Sequence, residues 1–176
     1  MNLPSRWIKY GLPLLVAIFL HSPVACKKEP PKPKKPLAPD FALPSVDGKT
    51  VTLSQLRGKV ILLDFWATWC APCRMAIPHL NNLYRTHRER DLEIIGLSLD
   101  KGSPEMLKRF SSSMGIQYTI VMADDEVVKN YGISPIPTTY LIDRDGYITN
   151  KWVGFSQNLM SKISAETERL LSEGSG

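Results

Sequence analysis

Apolar runs alternate along the chain with amphipathic segments, and the alternation lays out an α/β domain. FALPSVDGKTVTL, residues 41–53, switches between apolar and polar positions around Asp47-Gly48, which predicts a hairpin with its turn there. Ser54 is placed to cap a single helical turn that Gly58 ends. VILLDFW, residues 60–66, is nearly all apolar and β-branched or aromatic, the pattern of a central strand buried on both faces. LEIIGLSLD, residues 92–100, is a second such strand. Residues 72–90 between them are helical in pattern, so the three elements predict a right-handed parallel crossover unit. Ser103-Pro104-Glu105 is a cap, a first-turn proline and an acid, opening a helix that runs to about Met114. YTIVM, residues 118–122, reads as a strand, and Asp124 caps a short helix through Tyr131 that Gly132 stops. TTYLI and YITNKWV, joined at Asp143-Arg144-Asp145-Gly146, predict an antiparallel finish to the sheet. Leu159, Ile163, Leu170 and Leu171 then give the last helix an apolar stripe.

The first forty residues follow a different rule. Arg6 and Lys9 precede an uncharged, mostly apolar run over residues 11–20 that ends near Pro23-Val24-Ala25-Cys26, the layout of an export signal. The run is about half the roughly 20 apolar residues that a bilayer span needs, so residues 1–25 are expected to be a removable signal. Ala25-Cys26 resembles the lipobox of bacterial lipoproteins, which makes Cys26 a candidate for lipidation. Cleavage without lipid and an uncleaved anchor are the alternatives, and Pro23 stands where that pattern prefers a leucine-like residue. Residues 26–39 include KKEPPKPKKPLAP, whose prolines favour an extended conformation and whose lysines repel one another, as in a stiff membrane tether. The plainer alternative is a disordered tail.

With 43% apolar residues in 176, the chain suits one ordinary globular domain with appendages, over residues 40–173. Its net charge of +5 divides unevenly: the signal carries +2, the tether +4 and the remainder −1. The basic excess therefore belongs to the tether, where it suits an anionic membrane surface. A basic face on the folded domain, the footprint of nucleic-acid binding, is not expected.

Candidate chemistry concentrates at Trp69-Cys70-Ala71-Pro72-Cys73, where a buried strand gives way to a helix. Two cysteines separated by Ala71 and Pro72 at a helix start have the geometry of a reversible disulfide. The helix dipole and free backbone amides there favour an anion and lower the pKa of the first thiol. Cys70 is the expected nucleophile and Cys73, one turn on and more buried, the resolving residue. Pro72 sacrifices no intrahelical bond in the first turn and stiffens the short ring. A zinc half-site and a static disulfide are the bland alternatives. Structural zinc needs four ligands, and the domain adds only His79 and His87 on the same helix, so no metal is expected and no cofactor beyond the disulfide itself. The chain has 3 cysteines, leaving Cys26 without a partner outside the pair. Asp64, six residues before Cys70 and inside an apolar strand, is expected to be a buried carboxyl with a raised pKa; a solvent-facing aspartate at a strand end is the alternative. Pro78 is expected to kink its helix. His79, His87, Arg74 and Arg85 are expected to face solvent.

LLDFWATWCAPCRMAIPHL resembles the active-site segment of thioredoxins, with tryptophan before the first cysteine and proline five residues after the second. GISPIPTTYLIDRDG is similar to the family's second active-site loop, where a cis proline faces the cysteines; it maps to Pro137 with Ile136 before it. The resemblance implies a thioredoxin fold: a central mixed β-sheet flanked by helices, here with an N-terminal hairpin and a helix-strand insertion over about residues 103–122. It also implies that the Pro137 loop receives substrate as an extended strand. By the same likeness Trp69 shapes substrate access, Gly154 lines the substrate groove, and Asp64 is the proton-transfer group for the resolving cysteine. Among thioredoxin-like chains, the export signal, hairpin and insertion resemble the TlpA/ResA branch, including CcmG-like proteins. The chain departs from many ResA-like members in having Ala76 for a glutamate and Asp64 for an asparagine. That branch implies reduction of protein disulfides outside the cytoplasm, apocytochrome c among the clients, and a membrane electron donor of the DsbD/CcdA type.

Three other functions share these features. A disulfide-oxidising catalyst would use the same cysteines in reverse, although Ala71-Pro72 resembles the Gly-Pro of reducing thioredoxins more than the Pro-His of strong oxidants. A peroxiredoxin-like peroxidase would need proline and threonine seven and three residues before its cysteine, where this chain has Leu63 and Ala67. A redox-inert binding module would leave Cys70 without a purpose.

Overall fold

The computed structural model describes residues 35–173. The expected signal, Cys26 and most of the expected tether lie outside the described residues. Among the described residues, seven strands and four α-helices follow in the order β1 (Ala42–Pro44), β2 (Thr50–Thr52), β3 (Val60–Trp66), α1 (Ala71–His87), β4 (Leu92–Ser98), α2 (Pro104–Ser113), β5 (Thr119–Met122), α3 (Asp125–Asn130), β6 (Thr138–Ile142), β7 (Ile148–Val153) and α4 (Gln157–Glu173). The main sheet has strand order β5-β4-β3-β6-β7. The β3–β4 and β4–β5 pairs are parallel, and β3–β6 and β6–β7 are antiparallel, so the sheet is mixed. This is the thioredoxin-type architecture expected above.

β3 is central because all seven of its residues are buried. Its alternating side chains serve two cores. Val60, Leu62 and Trp66 join Ala76, Leu80 and Leu83 of α1 and Met160, Ile163, Leu170 and Leu171 of α4 on one face. Ile61, Leu63 and Phe65 join Leu43 of the hairpin and Val127 of α3 on the other. The β1–β2 hairpin pairs Ala42 with Thr52 and turns at Gly48, whose φ of +79° only glycine adopts readily. Ser103 and Asp124 cap α2 and α3 by accepting the amides of Met106 and Val127, as their positions predict.

Several expectations need correction. The 3-10 turn at Leu53–Leu56 has no side-chain cap; the Ser54 amide instead donates to Asp40 Oδ1 at 2.8 Å, because Asp40 folds back over the turn. α1 stops at His87, followed by a 3-10 turn at Arg88–Arg90 and by Asp91 at φ +62°. β4 ends at Ser98, two residues early, since Asp100 turns its carboxylate back onto the Ser98 hydroxyl. His87 is buried, not solvent-facing: α4 packs over it and Glu168 lies 3.4 Å from Nε2. Pro78 lies inside α1, as expected, and is exposed. Residues 35–39, expected in the tether, lie against the β6–β7 hairpin. Ile148 donates its amide to Pro36, Ala38 to Gly146, and Lys35 pairs with Asp143 at 3.2 Å.

Candidate active site

The cysteine pair sits where β3 runs out. After Trp66 the chain makes one turn, the Cys70 amide donating to Ala67 O at 3.1 Å, and enters α1. Cys70 is the helix N-cap, with extended backbone and a sulfur that accepts the Cys73 amide at 3.3 Å. An anion there faces an amide that the first helical turn leaves unsatisfied. Cys70 and Cys73 are joined as a disulfide, 5% and 1% exposed, so Cys70 is the outer of the two. Pro72 falls in the first turn, where no intrahelical bond is lost, and Ala71 beside it is exposed. Trp69, next to Cys70 in the chain, is 68% exposed, which removes it from the core.

The Ile136–Pro137 loop, 66 residues later, closes the other side. Its peptide bond is cis, and Ile136 O lies 3.8 Å from Cys70 Sγ. Pro137 is buried and Ile136 half-buried. The Gly154 amide donates to Pro137 O at 2.8 Å, tying the end of β7 to this loop, and Gly154 has φ +87° with open space where a side chain would stand. Trp69, Cys70, Ile136, Pro137 and Gly154, which the sequence scatters, thus border one site.

Asp64 lies beneath. The alternation along β3 puts its side chain on the face of Val60, Leu62 and Trp66, the core that contains both cysteines. It is 2% exposed, and burial raises its carboxyl to about pKa 7, opposed by the hydroxyl of Thr139 donating to Oδ1 at 3.1 Å. The neighbouring position on β4 is Gly96, over whose Cα the edge of Tyr118 and Nε1 of Trp66 converge. Tyr118 is held well above the usual phenol range by burial and by the Asp64 charge.

One cluster escaped the sequence. Asp100, 7% exposed, accepts the Thr68 amide on Oδ2 at 2.9 Å and the Thr68 hydroxyl on Oδ1 at 2.7 Å. Arg74 is exposed as expected, and its Nη1 donates to Thr68 O at 2.8 Å. The signal available was a lone acid closing an apolar run, but its partner is 32 residues away. His79 is half-buried with its ring 5.8 Å from that of Phe155, away from solvent on one side. Among the described residues no three His, Cys, Asp or Glu side chains gather as a metal site.

A family model described as AhpC/TSA matches residues 36–151. The chain belongs to the AhpC/TSA family. The thiol-disulfide oxidoreductase ResA of Bacillus anthracis is 35% identical over 118 residues, covering 66% of this chain and 68% of that protein. ResA of Geobacillus thermodenitrificans is 37% identical over 113 residues, covering 63% of this chain and 64% of its own. Among solved structures, a provisionally assigned thiol:disulfide interchange protein DsbE from Chlorobium tepidum superposes with TM-score 0.73 at 32% identity, covering 78% of this chain and 97% of that one. A thioredoxin-family thiol:disulfide interchange protein from Chlorobium tepidum TLS gives TM-score 0.71 at 27% identity, covering 80% and 99%. Family, fold and the Cys-X-X-Cys pair make this chain a thiol-disulfide oxidoreductase of the ResA and DsbE type. Within the family, Leu63 and Ala67, both fully buried, occupy the positions where a peroxidase would carry its proline and threonine.

Proposed function

We propose that the chain reduces protein disulfides on the outer side of a membrane, with Cys70 attacking and Cys73 releasing. The observation that carries this reading is the Cys70 sulfur at the start of α1, accepting the Cys73 amide and bordered by Ile136 O. In the reduced enzyme the Cys70 thiolate attacks one sulfur of a substrate disulfide. The substrate S–S bond breaks, a mixed disulfide forms, and the departing thiolate takes a proton from solvent. Cys73 then gives its proton to the Asp64 carboxylate and attacks Cys70 Sγ; the bond from Cys70 to the substrate sulfur breaks, the Cys70–Cys73 disulfide forms, and the departing substrate thiolate takes a proton from solvent. Two electrons have passed from the dithiol to the substrate. With a pKa of about 7, Asp64 both accepts and surrenders that proton near neutral pH. Trp69, the Ile136–Pro137 backbone and the open space at Gly154 supply the groove for an extended substrate segment. Ala71 and Pro72 support the ring.

In this reading the electron source is a membrane dithiol carrier of the DsbD/CcdA type, and apocytochrome c, made ready for haem, is the proposed client. The location follows from the signal-like residues 1–25, with Cys26 lipidated and residues 26–39 as the tether. Labelling with a radioactive fatty acid that is lost in Cys26→Ala tests the anchor; label retained in that variant contradicts it.

The function is tested by adding the reduced protein to insulin. Turnover is expected to vanish in Cys70→Ser, while Cys73→Ser is expected to accumulate a mixed disulfide whose captured partner in the cell identifies the client. Insulin reduction that survives Cys70→Ser contradicts the proposal. A reduction potential near −120 mV, that of a strong oxidant, would assign the reverse direction to the same two sulfurs.

A further inference from the structure

We propose that Asp100 is a positioning residue for Cys70 and acts through Thr68; the proposal rests on Cys70 being the attacking sulfur. Asp100 follows the end of β4, the strand beside β3, and could have ended as a solvated acid. It is instead 7% exposed and turned onto the loop that joins β3 to α1. Its Oδ2 accepts the Thr68 amide at 2.9 Å and the Ser98 hydroxyl at 2.7 Å, and its Oδ1 accepts the Thr68 hydroxyl at 2.7 Å. From the opposite side Arg74, in the first turn of α1, donates Nη1 to Thr68 O at 2.8 Å. Every polar group of Thr68 is therefore held: amide and hydroxyl from the end of β4, carbonyl from α1.

That grip matters because, of the three loop residues, only the fully buried Ala67 is fixed by packing in the core. Residues 67–69 lie beyond the β3 ladder, and Trp69, being 68% exposed, does not anchor them by packing. Thr68 is two residues before Cys70, whose sulfur stands 3.3 Å from the Cys73 amide. Hydrogen bonds weaken steeply as distance and angle depart from their optimum, so a loose loop would loosen the contact that favours the Cys70 thiolate. Bonds to a carboxylate are shorter and stronger than neutral ones, and a bidentate pair on one residue also fixes its orientation. Asp100 never needs to touch substrate to set the acidity of the sulfur that does.

The test uses the full chain, reduced, with glutathione disulfide as probe. The rate of thiol exchange is followed across pH, and the melting temperature is recorded beside it. Thr68→Val, which deletes one of the two bonds, is expected to raise the midpoint of the pH-rate profile by about half a unit. Asp100→Ala is expected to raise it by about one unit and to slow exchange at pH 6 about threefold, the lost acidity being partly offset by stronger nucleophilicity. Asp100→Asn is expected to fall between parent and alanine variant: its Oδ1 still accepts the Thr68 amide, and the Thr68 hydroxyl reverses to accept from Nδ2. An unchanged or lowered midpoint in Thr68→Val and Asp100→Ala overturns the proposal, whatever the melting temperature does. If Asp100→Ala fails to fold, Thr68→Val and Asp100→Asn decide on the same criterion. Exchange that persists in Cys70→Ser overturns the underlying assignment of Cys70 instead.

Discussion

Asp64 carries a carboxyl into a strand that is otherwise hydrocarbon, and burial pushes its pKa up to about 7. The unfolded chain releases that proton near pH 4. Between those values the native state holds a proton that the unfolded state has lost, so stability is full below about pH 4, falls as pH rises towards 7, and then levels off. The loss is at most on the order of 4 kcal/mol. In Asp64→Asn this slope is expected to disappear from urea unfolding measured at successive pH values; a slope as steep as the parent's would remove Asp64 as its source. The same variant is expected to resolve its mixed disulfide at least about tenfold more slowly at pH 7, as for loss of a general base, read by quenched-flow trapping of the adduct. Asp64 was legible in the sequence because an acid inside VILLDFW is an anomaly wherever the strand is placed. Asp100 was not, because an acid closing LEIIGLSLD is unremarkable until Thr68 is brought beside it. His87 misled for a related reason: its helix pattern is amphipathic, and only the packing of α4 decides that its position lies inside.

At the scale of elements, the crossover β3–α1–β4 sets the site, and its closeness is visible at Gly96. A methyl group there would stand 2.6 Å from Ile120 Cδ1 and 2.9 Å from Trp66 Nε1. Gly96→Ala is therefore expected to cost about 1–3 kcal/mol in chemical denaturation, the usual penalty of overpacking a tight core. Parent-like stability would mean that β4 and the Trp66 indole yield freely. Elements whose signals are local were readable in advance: the apolar runs of β3 and β4, the Ser103 and Asp124 caps, and the glycine turn of the hairpin. Ends set by distant contacts were not. β4 stops where Asp100 turns back, and the 3-10 turn after β2 is organised by Asp40 rather than by its own Ser54. The Cys70 helix start and the Pro137 loop were both recognisable as segments, but their facing one another depends on β3 and β6 being neighbours in the sheet.

At the scale of the molecule, the charge and the chemistry belong to different parts of the chain. The basic excess lies before residue 37, and the disulfide lies in the folded domain. A chain beginning at residue 35 is expected to keep insulin reduction within about twofold of the parent while losing co-sedimentation with vesicles of anionic lipid, where each lysine near the surface contributes about 1 kcal/mol. Sedimentation unchanged by the truncation would move the membrane contact onto the domain. The proposed exchange depends on one physical condition, a first sulfur made acidic by the start of α1 and a second kept behind it. The direct measurement is alkylation of the reduced parent chain by iodoacetamide from pH 5 to pH 10, with each cysteine followed by mass spectrometry. Cys70 is expected to react ahead of Cys73, with a midpoint well below the ~8.5 of a free cysteine. A Cys70 midpoint at or above that value, or Cys73 reacting first, would contradict the assignment of the attacking sulfur.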